Sequence, residues 1–147
     1  MTDLWFTAAR LTIRLSKHDN ADGVSLIEHR MARGFAVPLH LHADEDESFY
    51  VLAGIVRMQV ADDVQTLRTG DALTVHSGVP HSFLIVSDEA RFLTITTGRF
   101  EDVIRAMARP AADEGLPPQD EPTPEQIDAL VTACREHGIE FVGPSVP

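Results

Sequence analysis

Residues 34–54, GFAVPLHLHADEDESFYVLAG, place His40 and His42 two apart in an extended-type run, with Glu47 five residues further on at the start of another run. Two residues at i and i+2 of a strand project to one face. Imidazole and carboxylate both ligate first-row divalent metals, and a strand-loop-strand connection can fold Glu47 back beside the pair. A second stretch, residues 70–85, GDALTVHSGVPHSFLI, supplies His81 at the start of a further run. Its distance along the chain is no obstacle, because antiparallel barrels set distant strands side by side. Taken alone, His40 and His42 would read as polar residues on a solvated strand. With Glu47, His81 and the flanking glycines in register, the four read as the ligands of one metal ion. Asp44, Glu45 and Asp46 read as a solvated acidic loop with no metal role, and His76 is the one remaining histidine considered for a hydrogen bond to a ligand.

Outward from these two stretches, residues 10–97 are short β-type runs at 11–15, 24–31, 48–52, 55–60, 65–68, 72–75, 81–86 and 91–97. Turn residues separate them, among them Asp22-Gly23, Gly34, Ala53-Gly54, Gly70-Asp71 and Ser77-Gly78. Strands of this number and spacing predict an all-β sandwich or barrel that hides its edges. After Gly98 the pattern changes. Residues 100–109 read as a short helix and residues 111–124 as a proline-rich loop. Thr123 is placed to cap a second helix, with Pro124 at its first position and Ile127, Leu130, Val131 and Cys134 recurring at helical spacing until Gly138. Residues 139–147 are expected to pack back as an extended tail. The expected organisation is one domain, with a barrel in residues 1–97 and a helical and extended appendage in residues 98–147.

The 147 residues suffice for one core without staples, and the net charge of -11, from 23 acidic and 12 basic residues, provides no basic stripe for phosphates or anionic lipid. Small molecules are the expected partners, with no nucleic acid and no membrane. Cys134 has no cysteine partner and reads as a buried, inert thiol. With no signal-type leader and no apolar run long enough to span a bilayer, the chain reads as soluble and cytoplasmic.

The first stretch resembles the cupin motif G-x5-H-x-H-x4-E-x6-G at Gly34, His40, His42, Glu47 and Gly54. The second resembles its companion, G-x5-P-x-G-x2-H-x3-N, at Gly70, Gly78 and His81, with His76 in the usual proline position and Ile85 in the usual asparagine position. The resemblance implies a jelly-roll barrel holding one divalent transition metal in its mouth on His40, His42, Glu47 and His81. Iron, manganese, nickel, cobalt and zinc all remain open, since this ligand set accepts each of them.

Alternation from Glu47 and from His81 turns Phe49 and Val51, and Phe83 and Ile85, to the metal side. On the run 55–60 either Val56, Met58 and Val60 or Ile55, Arg57 and Gln59 face inward, and the apolar set avoids burying an unpaired arginine. Phe49, Val51, Met58, Phe83 and Ile85 are therefore the expected substrate pocket, although Val51 also fits plain barrel core. The chain as a whole is similar to small bacterial cupins resembling flavonol (quercetin) 2,3-dioxygenases. That similarity implies a metal-dependent dioxygenase acting on a small enolisable aromatic substrate with dioxygen, Glu47 as the catalytic proton acceptor, and a homodimer. A cupin cyclase or isomerase of a polyketide-like or sugar substrate, and a non-catalytic ligand-binding cupin, stay open as alternatives.

Overall fold

Strict in-out alternation of apolar side chains makes most of the strands, and it leaves each sheet one apolar face to bury. In the computed structural model, which describes residues 2–147, the chain runs β1 (Thr2–Phe6), β2 (Ala9–Leu15), a 3-10 turn (Lys17–Asp19), β3 (Ser25–Ala32), β4 (Ala36–His42), β5 (Glu47–Ala53), β6 (Ile55–Val60), β7 (Asp63–Arg68), β8 (Ala72–Val75), β9 (His81–Ile85), β10 (Glu89–Thr96), helix α1 (Arg99–Met107), β11 (Arg109–Pro110), helix α2 (Pro124–Glu136) and β12 (Ile139–Gly143). The larger antiparallel sheet has the order β11-β1-β2-β3-β10-β5-β8 and the smaller β12-β4-β9-β6-β7. Together they form the expected mostly-β jelly roll of two antiparallel sheets, with a short C-terminal helical segment.

The two inner faces share one apolar cluster. β3 contributes Ile27 and Met31, β5 Phe49 and Val51, β6 Val56 and Met58, β9 Phe83 and Ile85, and β10 Ala90 and Phe92. Gly54 makes the tight β5-to-β6 turn at a φ of +89°, where a Cβ would collide with the carbonyl oxygen of Glu89. The strands β1 and the short β11 lie outside the runs expected from sequence, while β4 is the extended run expected around His40 and His42. The segment after residue 97 also enters the sheets. β12 hydrogen-bonds along β4, pairing Ile139 with His42 and Phe141 with His40, and α1 buries Ile104 in the main cluster. Thr123 caps α2 by accepting from the Gln126 N–H, while the Gln126 side chain accepts from the Thr123 N–H. Cys134 is buried, and burial raises its thiol to about 11, which keeps it protonated and inert.

The helix α1 is pinned through Glu101, whose side chain is wholly buried. Its carboxylate accepts from the hydroxyls of Ser25 and Ser16, the Lys17 N–H and Arg105 Nε. Burial alone would raise this group, but the hydrogen bonds outweigh it and hold the carboxyl at about 2, against an ordinary value of 4.5. A depressed carboxylate adds stability that is present above its unfolded value and is lost as pH falls toward the folded one. Glu101→Gln is therefore expected to cost about 1–3 kcal/mol at neutral pH. In urea titrations run at successive pH values, the gap to wild type should narrow as pH falls from about 5 toward 2. A gap that stays constant over that range would remove the carboxylate's charge from the account.

Candidate metal centre

The strand β4 carries His40 and His42 on one face because they are two residues apart, and β9 brings His81 directly opposite His40. Glu47 opens β5 in the facing sheet. All four side chains are buried, with 7% of His40, 3% of His42, 5% of Glu47 and 1% of His81 exposed. One ligand atom from each lies within 4.8 Å of the others. Glu47 Oε1 is 3.0 Å from His81 Nε2 and 3.5 Å from His42 Nε2.

Each imidazole has its other nitrogen occupied. His40 Nδ1 is 2.9 Å from the Pro38 carbonyl, His81 Nδ1 is 3.1 Å from the Val79 carbonyl, and His42 Nδ1 is 2.9 Å from Glu45 Oε2. Carbonyl and carboxylate oxygens only accept, so each Nδ1 carries a proton and each Nε2 is aimed at the centre, where its lone pair would serve a bound ion and where His81 Nε2 otherwise donates to Glu47 Oε1. Three imidazole Nε2 atoms and a carboxylate on so short a span suit a single divalent ion with bonds of about 2.0–2.2 Å. The residues therefore fit the metal implied by the resemblance.

The electrostatics agree. Burial would raise Glu47, but His42, His81 and His40 pull it down to about 2, so it is a carboxylate throughout the neutral range. Burial, reinforced by His81, lowers His40 to about 3, against an opposing pull from Glu47. His42 goes the other way: burial lowers it, yet the carboxylates Glu47 and Glu45 outweigh that and raise it above its ordinary value. The interior thus holds one firm negative charge and a neutral imidazole at His40.

The apolar residues expected around the ligands fall in tiers. Phe83 follows His81 by two positions, Phe49 follows Glu47 by two, and Met58 lies opposite Phe83 in the sheet register. The Phe49 ring is 6.2 Å from that of His81 and 6.4 Å from that of Phe83. Val51 and Ile85 lie two residues deeper, roughly 13 Å along their strands from Glu47 and His81, within the shared core.

Two expectations change. Glu45 is no solvated acid: it is 4% exposed and hydrogen-bonded to His42, because the loop after β4 turns it under the ligand strand. Its neighbours Asp44 and Asp46 are exposed, and nothing in the acidic run distinguishes the three. His76 has no hydrogen bond to a ligand. Its side chain is 76% exposed beside Asp46, whose carboxylate accepts from the Ser77 N–H. A fourth inward histidine, His29, sits on β3 with Nε2 2.8 Å from Thr94 Oγ1 and its ring stacked on Phe92 and Phe100. Burial lowers it to about 4, so it is a neutral core residue, and the alternation of β3 alone could have placed it inside.

Residues 27–96, just under half of the chain, match the family described as Cupin domain. Among curated proteins it is similar to quercetin 2,3-dioxygenase of Bacillus subtilis, at 27% identity over 85 residues, which is 58% of this chain and 25% of that protein. The match thus spans a quarter of that relative's length. Among solved structures it is similar to a predicted oxalate decarboxylase from Thermotoga maritima (TM-score 0.60, 21% identity, 65% of this chain and 91% of the other). It is also similar to the polyketide cyclase RemF from Streptomyces resistomycificus (TM-score 0.55, 23% identity, 62% and 66%). At these identities the structures establish the shared fold. No helix among the described residues is long and apolar enough to cross a membrane.

The site predicts metal content residue by residue. His40→Ala, His42→Ala and His81→Ala proteins are each expected to lose most of the bound metal found by elemental analysis, while His76→Ala keeps the wild-type amount. Equal metal across all four variants would contradict the assignment.

Proposed function

We propose that this chain is a metal-dependent dioxygenase-like enzyme of a small enolisable aromatic substrate, with His40, His42, Glu47 and His81 as metal ligands and Glu47 as catalytic proton acceptor. The observation that carries the reading is a buried, ionised carboxylate set among three imidazoles at the head of an apolar tier formed by Phe49, Phe83 and Met58. The match to quercetin 2,3-dioxygenase supports the choice of substrate class and of dioxygen as second substrate.

A bound divalent ion would make a substrate hydroxyl more acidic and stabilise its anion. Glu47 then has to take the proton. Held at about 2, it is always in the accepting form but is a weak base, so its role depends on the hydroxyl being acidified beside it. The three histidines cannot share the task, since each Nδ1 donates to an acceptor and each Nε2 faces the centre. Phe49 and Phe83 offer ring edges and faces to an aromatic body, and Val51, Met58 and Ile85 extend the apolar lining on the same strands and on β6.

The test is an oxygen-electrode assay of the metal-loaded protein with flavonols and related enolisable phenols. Substrate-dependent oxygen uptake is expected, and turnover of a substrate with no uptake would replace this reading by cyclase or isomerase chemistry. Glu47→Gln keeps one coordinating oxygen and loses the basic carboxylate. Its rate per bound metal should fall by about 100-fold or more if general-base catalysis is its contribution. An unchanged rate per metal would leave Glu47 a ligand only.

A further inference from the structure

Glu45 has five contacts, and they lead to two different parts of the molecule. Oε2 accepts from His42 Nδ1 at 2.9 Å and from the Phe100 N–H at 3.2 Å. Oε1 accepts from the Thr97 N–H at 3.1 Å and the Arg99 N–H at 3.2 Å, with the Thr97 hydroxyl at 3.5 Å. Thr97, Arg99 and Phe100 form the entry to α1, where the orphan amides of the first turn need acceptors and Gly98 caps the helix without a side chain. The Phe100 ring, in turn, stands edge-on to His42 at 6.4 Å and stacks on His29. Around the same corner, Arg99 Nε donates to the His137 carbonyl, and the Ala43 N–H donates to the Gly138 carbonyl just before β12.

We propose that Glu45 is a positioning residue that fixes His42 in its ligating tautomer and couples metal loading to the docking of α1 and the C-terminal segment. The inference rests on the metal reading of His40, His42, Glu47 and His81. The chemistry is that of an acceptor-only group: as long as a carboxylate faces Nδ1, the proton stays there and Nε2 is free to bind a cation. The same two oxygens cannot hold His42 unless the α1 amides come to them, because a carboxylate buried against one imidazole alone would be heavily under-solvated. Coupling of this kind is reciprocal. Whatever orders α1 favours the metal-ready His42, and metal at His42 favours ordered α1.

Glu45→Gln separates this role from plain packing. The amide keeps the size and one acceptor oxygen, but it places an N–H donor against either His42 Nδ1 or an α1 amide, so the favourable pattern cannot be completed on both sides. With zinc(II) as the probe and a chromophoric chelator as competitor, the variant is expected to bind about 10–100-fold more weakly than wild type. Its metal-free circular dichroism should remain that of the folded barrel. Two measurements on the wild type make the test independent of how well the variant folds. Zinc saturation should slow hydrogen exchange at the Thr97, Arg99 and Phe100 amides, and the nitrogen-15 spectrum of the zinc-loaded protein should show His42 protonated at Nδ1. Unchanged exchange at all three amides, or equal zinc affinity in Glu45→Gln, would overturn the coupling while leaving the metal site in place. A wild type that takes up no zinc or other divalent metal would overturn the metal reading, and this inference with it.

Discussion

One buried charge sets conditions that propagate through the molecule. The Glu47 carboxylate is 5% exposed and stays ionised, and an ion in such a place has to be matched by donors or by a cation. Its matching groups are imidazoles on two strands of the opposite sheet, so β4 and β9 must run side by side with His40 opposite His81. Each imidazole must in turn be told which nitrogen carries its proton. Two are instructed by backbone carbonyls two residues earlier in the chain, at Pro38 and Val79. The third, His42, depends on a second buried acid, and Glu45 depends on amides more than fifty residues further along the chain. A requirement that starts at one oxygen atom thus reaches the start of α1.

The reach of sequence reading follows the same hierarchy. The clustering of His40, His42, Glu47 and His81 was legible because i, i+2 spacing on a strand and the flanking glycines depend on local geometry alone. Alternation from Glu47 and His81 likewise turned Phe49 and Phe83 to the correct face, and Thr123-Pro124 marked the start of α2. Glu45 was not legible, since Asp44, Glu45 and Asp46 differ only in what folds over them. Strand β1 escaped because its turn into β2 uses Thr7 at a φ of +52°, a position where glycine or asparagine would have announced a turn. Strand β4 was legible as an extended segment around His40 and His42 but not in its bounds, since Pro38 lies where the pairing with β9 shifts register between Val37 and His40. A proline there removes a ladder donor at a bulge, which a strand pattern read from sequence counts as a break.

The segment after residue 97 is the case in which composition gave the least guidance. Its helices and its proline-rich stretch look like material added to a finished barrel. In the structure, β12 is the outer neighbour of the strand that bears His40 and His42, with Phe141 opposite His40 and its ring 6.0 Å from that imidazole. Without β12, the backbone donors and acceptors on that side of β4 would lack their ladder partners, and an unpaired edge is a poor place to hold two ligands in fixed orientation. The further contacts of the tail point the same way: Val146 N–H donates to Ser82 Oγ on β9, and Arg57 on β6 reaches the Pro147 carbonyl. The C-terminal segment stiffens the face of the barrel that carries three of the four ligands.

Polarity along the interior completes the argument, because it limits how a ligand could lie there. Going inward in steps of two residues, roughly 6–7 Å each, β5 presents Glu47, Phe49 and Val51, and β9 presents His81, Phe83 and Ile85. Antiparallel to them, β6 presents Val60, Met58 and Val56 at the matching levels. On β5 and β9 the order of tiers is therefore a metal-site residue, then aromatic, then aliphatic, while β6 sets Val60, Met58 and Val56 against β9. A polar head can be matched only at the first tier, since the second and third offer no hydrogen-bonding side chain on these strands. At the second, Phe49 and Phe83 meet edge to face with ring centroids 6.4 Å apart. Burial of a polar group beyond the first tier of these strands would cost desolvation against phenylalanine and methionine.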